Sequence, residues 1–246
     1  MLEPQALFCR RKPINEKLKI SVVMPSFNEE EALPLVVEDI KKNTGQYRTE
    51  ILIVDSSKDR TPEIARELDV KVITQPPRGH GLALREAILS ASGDFIITAD
   101  CDNTYPMEKI PEFIKLLTEG GFDIVSGNRL GLAEVRKTMP GSNLLANRTF
   151  ALLVRLLYRI PTHDVSTGMF GFKRELVHSI DWEANFSFPS EIIIRSNLAG
   201  YKYKEIPISY RLRVGKVTLH RWCSGKAYIR CFLKYRFNLN IPPEEL

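Results

Sequence analysis

From Lys19 onward the chain alternates short apolar runs with longer amphipathic stretches. Lys19–Met24, Ile51–Val54, Val70–Thr74, Asp94–Thr98 and Phe122–Ser126 have the length and composition of buried strands. Between them, Glu29–Lys42, Thr61–Leu68, Gly81–Ser90 and Met107–Leu117 carry apolar residues at helical spacing, and Pro62 suits a first helical turn. Strands alternating with helices are βαβ units, which predict an α/β fold with a mostly parallel sheet covered on both faces. Ligands of such sheets sit beyond the carboxyl ends of the strands, so the residues after each strand are where chemistry is expected. Past residue 127 the rhythm changes to a long helix, mixed pieces and a basic tail. The expected division is an irregular basic lead-in over 1–18, one domain over 19–220 and a basic amphipathic segment over 221–246.

Each strand end has a polar signature. The first is followed by Met24-Pro25-Ser26-Phe27-Asn28-Glu29-Glu30, in which Pro25 stops the strand and Asn28 suits a helix cap. The second ends in Val54-Asp55-Ser56-Ser57-Lys58-Asp59, where Asp55 can accept hydrogen bonds from a ribose or from its own loop. The third runs into Arg78-Gly79-His80-Gly81, whose glycines give backbone freedom just before a helix, as phosphate-contacting loops require. The fourth ends in Asp100-Cys101-Asp102. If the strand persists, alternation puts both carboxylates on one side, where they repel unless a cation lies between them. A hard oxygen pair suits Mg²⁺ or Mn²⁺ that also binds a diphosphate. Walker A and GxGxxG patterns are absent, which removes P-loop and ordinary dinucleotide readings.

These motifs together resemble the family 2 glycosyltransferases of GT-A fold, a Rossmann-like architecture. Ser126-Gly127-Asn128-Arg129, His163-Asp164-Val165-Ser166-Thr167-Gly168-Met169 and Lys204-Glu205-Ile206-Pro207-Ile208 narrow the resemblance to the polyprenyl-phosphate hexose synthases, the group of dolichyl-phosphate mannose synthase. It implies an inverting, metal-assisted transfer of a hexose from a nucleotide sugar, of GDP-mannose or UDP-glucose type, to dolichyl or polyprenyl phosphate. Pro25, Phe27, Glu29, Val54, Asp55, Gly79 and Gly81 would then face the donor nucleotide. Asp100 and Asp102 would hold Mg²⁺ or Mn²⁺ and the donor diphosphate, and Asp164 would lie near the transferred sugar. Arg129 and Arg148 would meet the acceptor phosphate. Near the donor the family often has a loop ending in serine and lysine. Here Val217 and Thr218 stand in those places, which leaves Arg213 and Lys216 as the substitutes.

Charge sharpens the acceptor side. Residues 1–123 carry 16 Lys+Arg against 21 Asp+Glu, whereas residues 124–246 carry 19 against 9. The second half is therefore expected to meet an anionic partner. On a helical wheel of Ser142–Arg159, Arg148, Arg155 and Arg159 make one narrow stripe among leucines. The span 221–237 interleaves five Lys/Arg with aromatic residues and has no acid. That composition suits single-stranded nucleic acid or an amphipathic membrane anchor, and the upstream motifs favour lipid and no nucleic acid. No apolar run reaches the ~18 residues of a membrane span. Four cysteines without a CxxC pair fit reduced thiols. The expectation is a peripheral protein on the cytoplasmic face of a membrane. The alternatives are a soluble family 2 transferase acting on a glycan or protein hydroxyl, for which Asp164 would be the suspected base, a sugar-nucleotide pyrophosphorylase, and a noncatalytic binding protein.

Overall fold

The computed structural model describes residues 18–215 and 221–241. Its strands are β1 (Lys19–Ser26), β2 (Arg48–Asp55), β3 (Lys71–Thr74), β4 (Phe95–Thr98), β5 (Ile124–Asn128), β6 (Phe170–Lys173) and β7 (Tyr203–Pro207). They form one sheet in the order β3-β2-β1-β4-β6-β5-β7. Its helices are α1 (Leu33–Asn43), α2 (Thr61–Glu67), α3 (His80–Leu89), α4 (Ile110–Thr118), α5 (Val135–Thr138), α6 (Gly141–Tyr158), α7 (Arg174–Ser179), α8 (Phe188–Leu198) and α9 (Arg221–Phe237).

Strand alternation divides the core in two. Ile20, Val22 and Met24 of β1 join the helices α1 and α4 on one face, while Val23 joins α3, α6 and α8 on the other. Both faces are covered, which is why β2 reads as a continuous apolar run from Ile51 to Val54. The expected strands all form, with ends shifted by a few residues. Helix α1 begins at Leu33 rather than Glu29, because Asn28 adopts a positive φ and Glu29 closes a turn, its carbonyl accepting from the amides of Ala32 and Leu33. The expected helix over Met107–Leu117 divides into a short 3-10 turn and α4, with Pro111 in the first turn of α4.

The sheet is mixed. β6 lies between β4 and β5, antiparallel to both, while the remaining ladders are parallel. β1 is flanked by β2 on one side and β4 on the other, so strand order reverses there. That reversal opens a crevice beyond the ends of β1 and β4, the position where open α/β sheets bind ligands.

Helix α9 is part of this body rather than a separate tail. Tyr228, Cys231 and Phe232 are buried in the core shared with α6 and α8, and Tyr158 donates to the Phe232 carbonyl at 2.6 Å. Lys234 pairs with Glu183 at 2.6 Å, and Tyr235 donates to the buried Glu191 at 2.5 Å. The boundary expected at residue 220 therefore divides the sequence but not the hydrophobic core. No described helix is long and apolar enough to cross a membrane.

Candidate active site

The ends of β1 and β4 bring Glu29, Asp100 and Asp102 to the crevice. β4 stops at Thr98, so Asp100 and Asp102 are brought together by the turn after the strand and not by strand alternation. Thr104 holds that turn, donating from its amide and hydroxyl to one Asp102 oxygen at 3.1 and 2.6 Å. The other Asp102 oxygen accepts from Arg213 at 2.7 Å, and the same guanidinium also donates to Glu29. Arg213 reaches them because its segment is clipped to the turn: the Val214 amide donates to the Asp102 carbonyl, and the Arg211 amide to the Thr104 carbonyl. Lys216, its expected companion, lies outside the described residues.

Burial and like charge shape the ionisation here. Burial pushes the Glu29 carboxyl up to about 7 against the pull of Arg213, with Asp102 and Asp100 adding to the rise. Burial, then the Asp100 charge, likewise raises Asp102. Asp100 goes the other way. Burial pushes it up, but His80, bonded at 2.8 Å, with Arg129 and Arg213, outweighs that and lowers it. His80 is raised in turn, because Asp100 outweighs the downward pull of burial. The cluster concentrates carboxylates around one guanidinium, and the second Glu29 oxygen is buried without a hydrogen-bond partner. An oxygen-rich, under-compensated set of this kind fits a hard divalent cation.

The other expected donor residues have mixed placements. Asp55 is buried at the end of β2 and accepts from the Ser57 amide and hydroxyl at 3.2 and 2.6 Å, so it holds its own loop. Ser57 in turn accepts from the Asn28 amide at 2.7 Å, which joins the β1 and β2 ends. Phe27 is partly buried beside this junction. Pro25 is a buried β1 position paired with Val54, whose side chain belongs to the core. What approaches Gly79 and Gly81 is Asn185: a Cβ on Gly81 would stand 1.8 Å from the Asn185 carbonyl oxygen, and Gly79 has a φ of +105°. Gly81→Ala is accordingly expected to destabilise by about 1–3 kcal/mol, the usual cost of overpacking. Thermal denaturation should show a fall of about 2–12 °C for a chain of this length.

On the acceptor side the structure makes a pair that the sequence motifs list separately. Arg129, just after β5, donates from Nε and one terminal nitrogen to the two Asp164 oxygens at 2.7 and 2.9 Å, and its amide donates to the same carboxylate at 3.1 Å. Ser166 adds its amide and hydroxyl. Both side chains are buried. Every Asp164 oxygen is thus occupied, so the residue anchors Arg129 and has no free lone pair aimed at a substrate hydroxyl. Burial pulls the Arg129 guanidinium down, but Asp164 outweighs it and holds it firmly charged. Tyr210 lies against Arg129, 5.2 Å from ring centroid to guanidinium, and packs on the cluster of Leu130, Val135, Met139 and Leu144. Leu144 lies in the first turn of the long helix α6. Arg148 is exposed on that helix.

No local pattern marks His80, the Arg213 bridge to Glu29 or the Glu205 network, because the partners lie 20, 184 and 41 to 77 residues away in the chain.

A sequence profile for glycosyl transferase family 2 matches residues 21–181. Among curated relatives, the chain is 41% identical over 215 residues to a dolichyl-phosphate hexose transferase of Haloferax volcanii, covering 87% of this chain and 92% of the relative. It is 31% identical over 218 residues to the low-salt glycan biosynthesis hexosyltransferase Agl6 of the same organism, covering 87% of this chain and 53% of that protein. In structure it resembles glucosyl-3-phosphoglycerate synthase of Mycobacterium tuberculosis, solved with Mn²⁺, uridine diphosphate and phosphoglyceric acid. The TM-score is 0.71 at 22% identity, over 92% of this chain and 80% of that one.

Proposed function

Since the chain belongs to glycosyl transferase family 2 and is a glycosyltransferase of GT-A fold, we propose that it transfers a hexose from a nucleotide sugar to a polyprenyl phosphate at a membrane surface. The observation that carries the acceptor assignment is the outer face of α6. Leu145, Leu152 and Leu156 are 68%, 49% and 70% exposed, Arg148 and Arg155 are exposed among them and Arg159 is exposed at the left-handed C-cap, with no acidic residue in the helix. An apolar face studded with arginines suits the headgroup level of an anionic membrane. The α6 start packs, through Leu144 and Tyr210, beside Arg129, so a lipid phosphate held at that surface would be close to a fixed guanidinium. The name of the Haloferax volcanii relative, a dolichyl-phosphate hexose transferase, supports the same acceptor class.

In this reading Asp100 and Asp102 would hold Mg²⁺ or Mn²⁺, which when bound neutralises charge on the departing nucleoside diphosphate. Arg213 would give up a carboxylate to meet the diphosphate, and Glu29 and Phe27 would border the nucleoside beside the loop that Asp55 holds. Arg129, kept charged and in place by Asp164, receives the acceptor phosphate. A phosphate monoester is already anionic near neutral pH, since its second pKa is about 6. It therefore needs orientation more than deprotonation, which agrees with the absence of a free base at Asp164.

The test is a labelled-donor assay with a short polyprenyl phosphate in vesicles containing anionic lipid, with and without chelator. Metal-dependent label in the organic phase from one donor supports the reading. Label only in a water-soluble acceptor overturns it. Replacing Leu145, Leu152 and Leu156 together by serine is expected to release the protein from sedimenting vesicles. Retention of wild-type binding would remove α6 as the membrane face.

A further inference from the structure

Glu205 lies on β7, the edge strand, with its side chain only 7% exposed. One of its oxygens accepts from the Thr162 hydroxyl at 2.9 Å, the His163 amide at 2.7 Å and the Asp164 amide at 3.2 Å. The other accepts from the Asn128 side-chain amide at 2.9 Å and pairs with His163 Nδ1 at 2.9 Å. Asn128 uses its side-chain Oδ1 to accept from the Leu130 amide at 2.8 Å. One carboxylate is therefore tied to 128–130, which carries Arg129, and to 162–164, which carries Asp164.

The arrangement exceeds what an edge strand needs. The segment 159–164 has no regular structure. The Arg159 and Thr162 amides bond to the Arg155 and Ile160 carbonyls, which leaves His163 and Asp164 without a ladder to join, and unpaired amides are costly where buried. Glu205 takes these two, on a strand whose register with β5 is set by five consecutive residue pairs. Side-chain networks of this sort transmit position when every member is satisfied.

We propose that Glu205 is a positioning residue that sets the Arg129–Asp164 pair, and through it the seat of the acceptor phosphate. This rests on the acceptor reading above, but the positioning itself is a property of the free protein. Glu205 touches no substrate. Its effect passes through the Asn128 side chain on one side and the Asp164 backbone on the other.

The test compares Glu205→Ala and Glu205→Gln in the full chain. Gln keeps the shape and one acceptor oxygen, so it should restore part of what Ala loses. Glu205→Ala is expected to lower kcat/KM for the lipid phosphate about 10–100-fold, the range seen when supporting hydrogen bonds behind a binding group are removed. The Kd for the nucleoside diphosphate should stay within about twofold of wild type, since the donor crevice lies at β1 and β4. Amide exchange at Arg129 and Ser166, which bond to Asp164 and not to Glu205, should quicken. Unchanged acceptor kinetics, or equal losses of donor and acceptor affinity, would overturn the proposal. If wild type uses no lipid phosphate, the acceptor reading fails by itself. The exchange measurement then decides Glu205 alone: faster exchange at Arg129 and Ser166 supports positioning, and wild-type exchange refutes it.

Discussion

Asp102→Asn is expected to lower sugar transfer about a thousandfold while the protein still folds. The substitution keeps the side-chain shape and the oxygen that accepts from Thr104, so the turn after β4 survives. What disappears is the negative charge that would hold the metal and, through it, the leaving diphosphate. Stabilisation of a leaving group by a bound divalent ion is a several-kcal/mol effect, and about 4 kcal/mol corresponds to a thousandfold rate. Folding has little to lose, because burial and the neighbouring Asp100 already work against ionised Asp102. Arg213 loses one partner and keeps Glu29. Initial rates at saturating donor, measured beside thermal melts, check both halves. A variant within tenfold of wild type would show that Asp102 does not carry the metal. A collapse of the melting temperature would show that the carboxylate belongs to the fold.

The second large effect falls on stability. Asp164→Ala leaves the buried Arg129 guanidinium without its counter-charge and strips hydrogen bonds from two backbone amides. Breaking a buried pair from one side costs about 3–5 kcal/mol, which for this chain length means a fall of roughly 6–20 °C in Tm. The double replacement Arg129→Met with Asp164→Leu should recover much of that loss, since an apolar pair removes both the charge and its desolvation cost. Activity should not return with it if Arg129 receives the acceptor phosphate. Thermal denaturation of the single and double variants, with transfer assays alongside, separates the two roles. A single variant as stable as wild type would mean that the pair is open to water in solution.

Much of the fold was legible because its signals are local. Five strands and four helices of the first half follow from short continuous apolar runs and from apolar residues at period 3.6, punctuated by residues such as Pro62. The acidic pair after β4 was legible for the same reason, as two carboxylates one residue apart at a strand end. β6 was not. Phe170–Lys173 is four residues long, and its partners in β4 and β5 lie some 45 to 80 residues earlier in the chain. Its antiparallel place in the sheet is a matter of tertiary pairing.

The sequence by itself determined the α/β class, the family motifs, the crevice residues Glu29, Asp100 and Asp102, and the leucine–arginine composition of α6. Each of these is written in short local motifs, at the ends of single strands or along one helix, although bringing Glu29 to Asp100 and Asp102 took the pairing of β1 with β4. Only the tertiary structure decided which charges are partners. Arg129 and Asp164 are 35 residues apart, Arg213 and Glu29 are 184 apart, and Glu205 gathers donors from two distant segments. It also decided that α9 contributes to the core. Such contacts depend on how the elements pack around two hydrophobic layers, and a buried charge takes whichever counter-charge that packing brings within reach.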